Sequence, residues 1–72
     1  SNREKPLRIL FVGRIARMKN IVFFLEVLRD SGISARFDLV GPSDPFDQDY
    51  FNQCQQLAAE LNSAGLTQVE FH

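Results

Sequence analysis

Residues 7–20 read Leu7-Arg8-Ile9-Leu10-Phe11-Val12-Gly13-Arg14-Ile15-Ala16-Arg17-Met18-Lys19-Asn20. The stretch opens with a short apolar run, broken only by Arg8 and ended by Gly13. Such a run reads as a buried strand. A polar loop follows, and then Ile21-Val22-Phe23-Phe24-Leu25, the longest unbroken apolar run in the chain. Asn20 is a suitable N-cap residue and Gly32 suits the left-handed position past a helix end, so a helix is predicted over residues 20–30. Strand, glycine, loop and helix in that order are the opening of a β-α-β unit.

The rest of the chain repeats the pattern. Ala35-Arg36-Phe37-Asp38-Leu39-Val40 alternates in polarity and stops at Gly41-Pro42, which predicts a second strand. A second helix is expected to begin at Asp47 or Asp49, whose charge favours the positive helix end, and to run to Asn62. Tyr50, Cys54, Leu57, Ala58 and Leu61 form its one-face apolar stripe, and Gly65 is its stop signal. Residues 68–72, Gln-Val-Glu-Phe-His, read as a third strand. The expected fold class is α/β, a three-stranded parallel sheet in β-α-β-α-β order with right-handed crossovers. It is an incomplete Rossmann-like half-domain forming one unit over residues 1–72. Ser1-Asn2 is equally well a cloning scar or native sequence, and neither residue enters the fold reading.

Composition bounds the function. The chain has 72 residues, 44% hydrophobic and 24% charged, with a net charge of −1. At this size folding buries only about 60% of the surface that the unfolded chain exposes, so stability is marginal. No basic field invites nucleic acid or an anionic membrane, and no segment has the ~20 apolar residues of a membrane span. One cysteine and one histidine do not make a structural zinc site. The lone Cys54 fits a reducing compartment, and a cytoplasmic location is expected. The first helix is apolar around most of its circumference, more than a three-stranded sheet covers. The first strand is expected to present an open edge. Together they predict self-association of the chain.

Ligands of doubly wound folds bind at the carboxyl ends of the strands. There, Gly13 lets a ligand approach the backbone, the helix start offers unpaired N–H groups, and Arg14 and Lys19 add positive charge. Gly13, Arg14 and Lys19 are the candidate diphosphate-binding residues. Many α/β proteins carry such a junction without binding phosphate. The spacing matches neither the dinucleotide fingerprint nor the Walker loop. Arg17 reads as a solvated loop charge, Asp38 and Glu70 as strand-surface charges, His72 as structural, and Tyr50 and Phe51 as core or patch residues.

Three strings sharpen the reading: Phe-Val-Gly-Arg, four residues, then Lys-Asn; Phe-Asp-Leu-Val-Gly-Pro; and Val-Glu-Phe-His. In this order they resemble the group 1 glycosyltransferases, family 4 and relatives, over residues 7–72. The resemblance implies the opening of the C-terminal Rossmann-like domain of a GT-B fold, in a retaining enzyme. Its donor would be a UDP-, GDP- or ADP-sugar. It implies that Arg14 and Lys19 contact the donor diphosphate beside Gly13, with no metal or other cofactor. The family's Glu-x7-Glu pair is absent: Glu4, Glu26, Glu60 and Glu70 include no such spacing. The resemblance places that pair beyond His72. The isolated chain is therefore expected to bind donor at millimolar strength at best and to catalyse no transfer. The alternative is a non-catalytic Rossmann- or flavodoxin-like interaction or nucleotide-binding module.

Overall fold

The computed structural model describes residues 5–72; Ser1 and Asn2 lie outside them. The elements are β1 (Leu7–Val12), a 3-10 turn (Arg17–Lys19), α1 (Ile21–Ser31), β2 (Ala35–Val40), α2 (Gln48–Ala64) and β3 (Thr67–Phe71). The strands form one parallel sheet in spatial order β1-β2-β3. The β-α-β-α-β arrangement read from the sequence is the one observed.

Both crossovers step the same way across the sheet, so both helices lie on one face. Ala35, Phe37, Leu39 and Val69 point into that layer and are buried against Ile21, Leu25 and Leu28 of α1 and the whole predicted stripe of α2. Phe24 meets Phe37 edge to face at 5.1 Å, and Phe51 meets Phe71 in the same way at 5.5 Å. Cys54 is fully buried, which pushes its thiol up to about 11.

Among the described residues the opposite face carries no layer. Its even-numbered residues divide into a polar part on β2 and β3 and an apolar part toward β1. Arg36 bridges Asp38 (3.2 Å) and Glu70 (3.1 Å), and His72 Nε2 lies 2.8 Å from Asp38. Leu10 and Val12 are 68% and 71% exposed. The expectation of a buried first strand therefore fails. β1 is a sheet edge, and an edge strand on a sheet covered from one side keeps half its side chains in water.

The helix starts also differ from the reading. Asn20 does not cap α1 with its side chain. The 3-10 turn delivers it in the left-handed conformation (φ 56°), its N–H donating to the Arg17 carbonyl (3.2 Å). α1 accordingly begins at Ile21. α2 starts at the first of the two expected acidic residues: Asp47 is its N-cap, its carboxylate accepting from the Tyr50 N–H at 3.4 Å.

The two sheet edges are unequal. On β3, Asn62 of α2 acts as a strand fragment: its Oδ1 accepts from the Val69 N–H (2.7 Å) and its Nδ2 donates to the Val69 carbonyl (3.1 Å). Asn62→Ala leaves both groups without a protein partner. A loss of about 1–2 kcal/mol is expected, read as a lower urea midpoint at unchanged slope.

Candidate functional site

The carboxyl end of the sheet is built by two glycines. The Gly13 N–H donates to the Val40 carbonyl (2.9 Å) and the Gly41 N–H to the His72 carbonyl (3.4 Å), which carries the ladder one step past each strand. Gly13 (φ 153°) and Gly41 (φ 148°) hold conformations that L side chains rarely adopt. A Cβ on Gly41 would lie 1.9 Å from the Gly13 carbonyl oxygen. The strand-end loops can touch only because Gly41 has no side chain. Past the contact they stay paired: Ile15 N–H donates to the Pro42 carbonyl (2.8 Å) and Asp44 N–H to the Ile15 carbonyl (3.3 Å). Ile15 is fully buried beneath them.

This platform brings Gly13, Arg14 and Lys19 to one end of the sheet. Gly13 is half-buried. Arg14 and Lys19 are exposed, and neither has a carboxylate partner among the described residues. Arg17 is different. Its Nε and NH2 donate to the two Asp47 oxygens at 2.9 and 3.1 Å, and its guanidinium lies 5.0 Å from the Tyr50 ring centroid. Arg17 is solvated as read, with 62% of its side chain exposed, but it is not unpaired. It is a clamp between the first loop and the start of α2.

The α1 N-terminus is less open than the sequence suggests. The Tyr50 hydroxyl accepts from the Val22 N–H at 3.0 Å. The Phe24 N–H is used by the Asn20 carbonyl (3.1 Å). An anion at this end would meet Arg14, Lys19 and loop backbone before it met the helix itself.

Beside Lys19 lies a groove of about 350 Å³ between the edge of β1 and α1. Ile9, Phe11, Phe23, Phe24 and Phe37 make it apolar except for Lys19 and Asn20. Its chemistry suits a ring or an aliphatic side chain, not a diphosphate. No family model, curated protein or solved structure matches the chain. Function therefore rests on this geometry. No helix among the described residues is long and apolar enough to cross a membrane.

On the bare face, ligand atoms of Asp38, Glu70 and His72 lie within 4.8 Å of one another. The Arg36 guanidinium already occupies both carboxylates, as their strand-surface reading requires. The hydrogen bond to His72, followed by those from Arg36, holds the Asp38 carboxyl below the usual carboxylate range; Arg17 does the same for Asp47. A carboxyl with a lowered folded pKa contributes stability above its unfolded value, about 3.9, and loses it as pH falls through the folded value. Urea midpoints should thus hold from pH 7 to pH 5 and fall below pH 4. The fall should be smaller in Asp47→Asn. An identical fall in that variant would remove Asp47 from the account.

Proposed function

We propose that this chain forms the diphosphate-holding end of the donor site of a retaining glycosyltransferase, and that it binds the nucleotide part of a UDP-, GDP- or ADP-sugar without itself catalysing transfer. The observation that carries this reading is the pair Arg14 and Lys19. They stand at the carboxyl end of a parallel sheet, beside a glycine platform, with no carboxylate partner among the described residues, while Arg17 in the same loop is paired with Asp47. Two cations and loop amides neutralise a diphosphate without a metal. The resemblance of the Gly13-Arg14…Lys19 spacing to the group 1 glycosyltransferases supports the same ligand. The parent enzyme on this reading works in the cytoplasm.

The expected affinity is weak. Surface ion contacts are screened, and association costs consume most of the gain, which leaves a dissociation constant near ~1 mM, about −4 kcal/mol. Chemical-shift titration of the chain with UDP, GDP and ADP at low salt tests this. Shifts should centre on residues 13–20 and vanish in the double variant Arg14→Glu, Lys19→Glu. Micromolar binding, or binding indifferent to that charge reversal, would count against the reading.

The open edge of β1 and the apolar groove favour a second reading, a non-catalytic module that makes contacts with protein. In that case the same charge reversal leaves its behaviour unchanged. Self-association through β1 and the outer face of α1 belongs to either reading.

A further inference from the structure

The first loop and the loop after β2 make one surface at the carboxyl end of the sheet. Gly41 packs on Gly13, Ile15 bridges to Ser43, and the Arg17–Asp47 ion pair ties the loops further out. β2 is the central strand, with β1 and β3 on either side. Its loop, residues 41–47, is therefore no sheet edge. It lies beside the loop that carries Arg14 and Lys19, and holding a diphosphate there gives it no task.

Two of its residues stand out. Asp44 is half-buried and fixed at both backbone groups. Its N–H donates to the Ile15 carbonyl (3.3 Å), and its carbonyl accepts from the Asp47 N–H (3.1 Å) and from Gln48 Nε2 (3.2 Å). Its Oδ1 accepts from the Phe46 N–H at 2.9 Å, which leaves Oδ2 as a spare acceptor. The Asp44 carboxylate has no cationic partner among the described residues, whereas Asp47 is taken by Arg17. Phe46 is 94% exposed, more than any other large apolar side chain among the described residues. Its ring is carried on backbone that these bonds hold in place.

A carboxylate beside an anion site is unfavourable toward a bare phosphate. It becomes favourable when the ligand brings hydroxyl donors, because hydrogen bonds to an ionised acceptor are the strong ones. A ribose brings such donors. It joins its phosphate through a single carbon, a reach of about one strand spacing, ~4.8 Å. A phosphate over the end of β1 can thus set its ribose over the end of β2. Dinucleotide-binding sheets divide the work in this way, with phosphate on the first loop and ribose on an acidic residue beyond it. The exposed ring beside that carboxylate suits the remaining part of a nucleotide, since every base has a face that stacks on an aromatic side chain. We propose that the loop after β2 is a nucleoside subsite, in which Asp44 accepts from the ribose hydroxyls and Phe46 stacks on the base. The inference rests on the diphosphate reading of Arg14 and Lys19 and adds to it a means of recognising a ribonucleoside.

Amide chemical-shift titrations of the whole chain with ADP and, separately, with inorganic pyrophosphate test it. Both ligands should move residues 13–20, and ADP alone should also move residues 43–47. Phe46→Ala should weaken ADP at least about fivefold, the low end for a base stacked on an aromatic ring, and leave pyrophosphate unchanged. Phe46 is almost wholly exposed, so the variant should keep the urea midpoint of the parent chain. Asp44→Asn retains an acceptor for the Phe46 N–H and removes the charge. If Asp44 only repels phosphate, this variant should bind both ligands more tightly. If it holds the ribose, ADP should bind more weakly, and the advantage of ADP over 2′-deoxy-ADP should shrink. Loss of either effect alone removes that residue from the subsite. ADP and pyrophosphate moving the same residues, with ADP indifferent to both variants, overturns the subsite and leaves the diphosphate reading standing. If neither ligand moves residues 13–20, the diphosphate reading falls and the subsite falls with it.

Discussion

Gly41→Ala is expected to abolish stable folding. The added Cβ would sit 1.9 Å from the Gly13 carbonyl oxygen and 2.7 Å from its carbon, and both are backbone atoms that cannot rotate away. Relief requires the two strand-end loops to separate. That breaks the Gly13–Val40, Ile15–Pro42 and Asp44–Ile15 hydrogen bonds and uncovers Ile15. The positive φ at residue 41 adds strain for any L side chain. We expect a loss above about 4 kcal/mol, in the range reserved for named disasters of packing. A domain of this length holds roughly 4–10 kcal/mol in total. Gly13→Ala is the control. A Cβ there meets only the Phe11 ring, at 3.4 Å, so strain alone remains, about 1–3 kcal/mol. Urea denaturation followed by circular dichroism separates the two. If Gly41→Ala is as mild as Gly13→Ala, the loops are not locked by this contact.

That contrast bears on how far the sequence could be read. Signals that act within one turn or one strand were legible. The α2 stripe of Tyr50, Cys54, Leu57, Ala58 and Leu61 is the set of residues that α2 buries, because a helix at 3.6 residues per turn presents one face to its sheet. Gly32 takes the left-handed position assigned to it, and Gly65, read as the stop signal of α2, is left-handed as well. The strands β1 and β2 begin and end where their apolar runs do. What the sequence hid depends on partners far along the chain. Arg17 finds Asp47, Val22 finds Tyr50, and Val69 finds Asn62, and nothing near any of these residues announces the other. Asn20 was misread for a local reason: the 3-10 turn puts it in the left-handed region, where its side chain cannot reach forward to cap α1. The candidate site divides in the same way. Gly13, Arg14 and Lys19 are legible because they share one loop. The Tyr50 hydroxyl at the α1 start is not, because it arrives from another helix.

Tyr50→Ala is the second large effect. Its ring is 3% exposed and fills the space where the first loop, α1 and α2 converge. Removing it leaves a cavity, takes the acceptor from the Val22 N–H, and deprives Arg17 of the ring over which it sits while it bonds Asp47. Large aromatic-to-alanine changes in cores lose about 3–5 kcal/mol. That approaches the whole stability of the chain, and little native signal should survive at 37 °C. Tyr50→Phe dissects the effect. It keeps the ring and its contact with Arg17 and removes only the hydroxyl, for about 1–2 kcal/mol. It also frees the Val22 N–H at the positive end of α1. If the diphosphate reaches that helix start, this less stable variant should bind nucleotide more tightly than the parent chain, since an amide and the helix dipole become available to the anion. If Arg14 and Lys19 alone hold the diphosphate, affinity should not move while stability falls. The two measurements on one variant thus separate what Tyr50 does for the fold from what it withholds from the ligand.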